Sequence, residues 1–108
     1  MMRIPSPRWA QGLALAGLLT AAGSAQADLA LADKSTCLNC HAMEKKLVGP
    51  SFAAIAAKYR GQPDAAALLR SKVEKGGQGV WGPVPMPPMA YLPKDDVQAI
   101  VNWIVKLP

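Results

Sequence analysis

Both cysteines and the only histidine of this 108-residue chain fall within five consecutive positions, Cys37-Leu38-Asn39-Cys40-His41. That clustering limits what the chain can become. A disulfide-dense scaffold needs more cysteines, and a tetrahedral zinc site would find no other Cys or His to complete it. A thioredoxin-like dithiol belongs in a βαβ context, and no strand pattern is visible. A disulfide between Cys37 and Cys40 would close a tiny loop and stabilise little. The spacing suits covalent attachment of a c-type haem: two thiols three positions apart reach the two vinyl groups of one porphyrin, and the next residue offers its imidazole to the iron. His41 is then the proximal ligand.

The N-terminus bears on this reading. Arg3 and Arg8 form a positive n-region, Trp9 to Gly23 make an apolar run short for a bilayer span, and Ala25-Gln26-Ala27 is a small-x-small cleavage signature. Residues 1–27 are expected to be a cleavable secretory signal, against the alternative of an uncleaved membrane anchor, and residues 28–108 the mature domain. Removing 27 of 108 residues leaves 81, enough for one small domain. Export supports the haem reading, because c-type haem is attached outside the cytoplasm. The formal charge of +5 falls to +3 when Arg3 and Arg8 leave. That excess is too small for a nucleic-acid binder, and 51% hydrophobic residues exclude a disordered basic tail. Lys45-Lys46 and Lys58-Tyr59-Arg60 are read as solvated surface or a docking rim.

Helical periods dominate the mature chain. Leu29, Leu31 and Ala32 predict a short first helix running towards Cys37. Ser51 can cap a second, with Phe52, Ile55, Ala56 and Tyr59 on one face and Gly61 closing it. A third runs from about Pro63-Asp64, through Leu69 and Val73, to Gly76-Gly77, with Lys72 and Lys75 in its last turn. The last places Pro93 at the first helical position, Asp95 and Asp96 in the first turn, and Val97, Ile100, Val101 and Ile104 in one apolar stripe. Phe52, Leu69, Val73, Ile100, Trp103 and Ile104 are expected to pack around the porphyrin as much as around each other.

Between the third and last helices, 8 of the 13 residues from Gly76 to Pro88 are Gly or Pro. Neither a helix nor a central strand tolerates this, and so long a loop in so small a domain tends to be functional. It carries Trp81 and Met86, with Met89 just beyond. With one histidine, ligation by two histidines of the same chain is impossible, so the sixth iron position takes a Met or stays open. Met43 is too close to His41 to pass the porphyrin edge, which leaves Met86 and Met89. Pro85 and Pro87 hold the Met86 backbone stiffly, as suits a ligand. A thioether there favours ferrous iron and leaves no vacancy for peroxide or dioxygen.

Cys37-Leu-Asn-Cys-His41, Val48-Gly49-Pro50 and Gln78-Gly-Val-Trp81-Gly-Pro-Val-Pro-Met86-Pro-Pro88 together resemble the small bacterial class I cytochromes c of the c-551 type. The resemblance spans essentially the whole mature chain. It implies an all-α fold of about four to five short helices wrapped on one haem c, bound covalently through Cys37 and Cys40, with His41 and Met86 as axial ligands. It also implies that the Pro50 carbonyl accepts the proximal imidazole N–H, and that Trp81 reaches a haem propionate. Lys72 falls where the family often has Arg for a propionate; a Lys supplies charge without a bidentate fork. Met89 stands where relatives often carry an Asn that donates to the axial sulfur.

The function implied is that of a soluble, monomeric periplasmic electron carrier, not an enzyme. Its expected partners are redox proteins such as a haem nitrite reductase, a terminal oxidase or a quinol-oxidising complex. No nucleic acid and no stable membrane insertion are expected after signal cleavage. The competing reading is a small haem peroxidase or gas sensor with an open sixth position; a redox-inactive binding module would require that no haem be bound.

Overall fold

The computed structural model describes residues 2, 3, 5, 12, 17 and 23–108; most of the expected signal, 1–27, lies outside them. Among the described residues four α-helices follow in order: α1 Gly23–Lys34, α2 Phe52–Tyr59, α3 Ala65–Lys75 and α4 Lys94–Val105, with a 3-10 turn at Cys37–Asn39 between the first two. Among the described residues there is no strand, only one antiparallel bridge between Gly77 and Met86. No described helix is long and apolar enough to cross a membrane.

The helices start and stop where local chemistry dictates. Ser51 is extended, and its hydroxyl accepts from the Ala54 N–H at 3.0 Å, satisfying one orphan donor of α2. Gly61, at φ 81°, follows as the chain leaves that helix. Helix α3 ends at Gly76, and α4 carries Asp95 and Asp96 in its first turn, opposite in sign to the positive end of its dipole. Pro93 differs from expectation: its ψ of 132° places it at the N-cap, so the first helical residue is Lys94. Likewise Pro63 and Asp64 form a turn ahead of α3 rather than its opening.

Helix α4 is the hub, packing against α1, α2 and α3. Its buried Val97, Ile100, Val101, Trp103 and Ile104 meet Ala32 of α1, Phe52, Ile55 and Tyr59 of α2, and Ala65 and Leu69 of α3 in one core. Burying each large side chain contributes roughly 1.5–3 kcal/mol. On the α3–α4 seam, Arg70 donates to Gln98 at 3.1 Å, and Gln98 in turn donates to Asn102 at 2.9 Å. This frame leaves the 35–50 and 76–92 segments on its outside, and they carry the chemistry.

Candidate functional site

The cysteines sit on a turn set by Thr36, the only described non-glycine residue with positive φ (66°). A β-branched residue adopts that region at a cost, which points to a constrained purpose. From there the Cys37 carbonyl accepts from both the Cys40 and His41 N–H groups, at 3.1 and 2.9 Å. In a 3-10 turn, side chains three apart eclipse one another, so Cys37 and Cys40 share a side. Both are free thiols and both half-buried. Burial, opposed by a backbone hydrogen bond and reinforced by Cys40, pushes the Cys37 thiol above its ordinary pKa. A protonated thiol resists exchange and oxidation.

His41 is held more tightly. Its Nδ1–H donates to the Pro50 carbonyl at 2.6 Å, which commits the proton to Nδ1 and leaves the Nε2 lone pair free to bind a metal. The Pro50 carbonyl is in place because residues 41–53 fold back on the turn: Gly49 N–H reaches the Cys40 carbonyl at 2.8 Å, and Phe52 N–H the Ala42 carbonyl at 2.9 Å. The Phe52 ring lies 5.5 Å from the imidazole, inclined by 25°, and meets Trp103 edge-on at 5.4 Å, so the imidazole is backed by the core. A Cβ on Gly49 would lie 2.6 Å from His41 Cε1 and 3.0 Å from Nδ1. Only glycine admits the ring at that place.

Met86 is positioned by its backbone. Its N–H donates to the Gly77 carbonyl at 2.8 Å, and its carbonyl accepts from the Gly77 N–H at 3.1 Å. Gly76, at φ 70°, is required twice over: the conformation favours glycine, and a Cβ would approach the Met86 carbonyl oxygen to 2.5 Å and Pro88 N to 2.9 Å. Met86 is half-buried; Met89 is buried, its N–H donating to the Val73 carbonyl at 2.9 Å.

The structure brings His41, Pro50 and the two cysteines together on one segment, and holds Met86 apart on the Gly/Pro-rich loop. Trp81 is exposed, and its described partner is the Lys58 ammonium, 5.7 Å from its ring centroid. Lys72, half-buried on α3, makes no described side-chain hydrogen bond, and neither residue is joined to the rest of the site by a described hydrogen bond. In the sequence, Gly49 and Gly76 stand within a motif or at a helix end and show no role at the site. The one signal they carry there is adjacency to the segments that hold His41 and Met86.

The donor set fits a covalently held haem: two free thiols one turn apart, an imidazole whose Nε2 keeps its lone pair, and a thioether on a fixed backbone. The family model described as Cytochrome c matches residues 27–108. Cytochrome c-551 of Allochromatium vinosum is 52% identical over 89 residues, covering 82% of this chain and 95% of that protein. Cytochrome c-552 of Nitrosomonas europaea is 46% identical over 96 residues, covering 89% and 93%. The crystal structure of wild-type Nitrosomonas europaea cytochrome c552 superposes with a TM-score of 0.72 at 44% identity, covering 74% of this chain and 99% of that one. With motif, fold and relatives in agreement, this chain belongs to the cytochrome c family, as a small class I member of the c-551 type that carries covalently bound haem c.

Proposed function

We propose that the chain is a periplasmic one-electron carrier in which Cys37 and Cys40 hold the haem by thioethers and His41 and Met86 occupy the two axial positions. The observation that supports this most is the 2.6 Å contact between His41 Nδ1 and the Pro50 carbonyl, because it fixes the tautomer that a ligating imidazole needs. The bound haem supplies a one-electron iron couple. Pro50 and Phe52 keep His41 oriented, and the Gly77 pair keeps the Met86 backbone in place. A thioether at the second axial position favours the reduced state and excludes added ligands, which opposes the peroxidase or gas-sensor reading. Carriers of this kind are not enzymes in their own right.

Trp81 and Lys72 are proposed as the propionate contacts, and residues 1–27 as the export signal. The proposed partners are periplasmic redox proteins such as a haem nitrite reductase, a terminal oxidase or a quinol-oxidising complex, met by a monomer. Acid-acetone extraction tests the attachment: haem should stay on a polypeptide whose mass equals the chain from Asp28 plus one haem. Met86→Ala tests the ligand by abolishing the weak red-edge sulfur-to-iron band of the oxidised protein. Extractable haem, or a band that survives Met86→Ala, would refute the respective assignment.

A further inference from the structure

We infer that Lys58 is a positioning residue that fastens the arm of the Met86 loop to α2 through its ammonium. Lys58 lies in the last turn of α2, with Nζ 5.9 Å from the Tyr59 ring centroid and 5.7 Å from that of Trp81. Both distances are within the reach of a cation–π contact. The two rings differ in kind: Tyr59 is buried in the core, whereas Trp81 is 41% exposed on the loop. The cation therefore connects a fixed ring to one that the core does not hold.

The loop has few other ties. The backbone hydrogen bonds described for residues 77–86 stay within the segment: the Gly77–Met86 pair, and Gly79 N–H to the Gly82 carbonyl at 3.0 Å. The next tie to the helices is Met89 N–H to the Val73 carbonyl, beyond the arm. Among the described residues Lys58 has no carboxylate within ion-pair distance to draw it elsewhere. Its contact with Trp81 is thus the described polar link between the helices and the 78–85 arm. Loosening it should leave the fold intact and raise the frequency with which the Gly77–Met86 pair opens.

The functional consequence rests on Met86 as axial ligand, whereas the contact itself is tested independently. In the holoprotein, nuclear Overhauser effects are expected between the Lys58 ε-methylene and the Trp81 indole. Lys58→Gln should speed hydrogen exchange at the Gly77 and Met86 amides about 2- to 5-fold, the range open to an exposed cation–π contact, with α4 amides unchanged. Lys58→Arg should restore the slow exchange, and in a Trp81→Leu background Lys58→Gln should have no further effect. Absent Overhauser effects, unchanged exchange in Lys58→Gln, or the same acceleration in the Trp81→Leu background would overturn the inference. An unmutated protein lacking the red-edge band would instead refute the ligand assignment and leave these readouts standing.

Discussion

Replacing Gly49 by Ala puts a methyl carbon 2.6 Å from His41 Cε1, against a comfortable separation of about 3.5–4.0 Å, so something must move by about 1 Å. The imidazole cannot retreat freely, because Phe52 backs it at 5.5 Å and the core backs Phe52. Overpacking of this kind costs about 1–3 kcal/mol, and a displaced ring forfeits the Pro50 hydrogen bond, a further 0.5–1.5 kcal/mol or so. Gly49 does not occupy the left-handed region, so Ala regains about 0.4–1 kcal/mol from the unfolded chain. The net loss is about 2 kcal/mol. In a domain of this size that lowers Tm by roughly 8–16 °C, readable by circular dichroism of the holoprotein. Gly77→Ala is the control: a Cβ there would meet no atom within 4 Å and its φ is ordinary, so it should be neutral or slightly stabilising. If Gly49→Ala melts within 2 °C or so of the unmutated protein, on that same scale, the close approach to His41 does not constrain this position.

Gly76→Ala, with both a positive φ and a carbonyl at 2.5 Å, should open the Gly77–Met86 pair and lose the red-edge band at a lower temperature than the unmutated protein does; an unchanged band melting curve would contradict this. Met89→Ala should cost about 2–5 kcal/mol, because the side chain is buried, yet keep the band; losing the band while Met86→Ala retains it would reverse the ligand assignment. Lys34, Lys45 and Lys46 are exposed and close in sequence to the Cys37–His41 turn, so electron transfer to an acidic partner should slow as salt rises past about 0.1 M. Rates indifferent to ionic strength would favour docking on apolar surface.

Elements with strong local punctuation were legible from sequence. Ser51 and Gly61 bracket α2, and the stripe at 97, 100, 101 and 104 defines α4, because capping and 3.6-residue periodicity are local properties. Helix α1 was only partly legible: it begins at Gly23 rather than near Leu29, and its small residues give no apolar stripe to mark a boundary. The C-x-x-C-H segment and the Gly/Pro-rich loop announced themselves by composition. The contacts of Gly49 with His41 and of Lys58 with Trp81 did not, since each depends on how separate segments are brought together. Lys58 reads as a solvated surface charge until Trp81, 23 positions later, is seen beneath it.

The single rung between Gly77 and Met86 separates the placement of Met86 from the length of the chain that leads to it. Residues 78–85 leave and return through one closed pair, so their contour can grow without moving the methionine. Doubling such a loop costs only about 0.6 kcal/mol in closure entropy. Insertions after Gly82, where nothing lies within 4 Å of a Cβ, should therefore be tolerated, whereas one residue added between Gly76 and Gly77 would shift the rung itself. The tip of this loop is a place where the chain can accept new sequence, a tag or a recognition segment, while Met86 stays where it is.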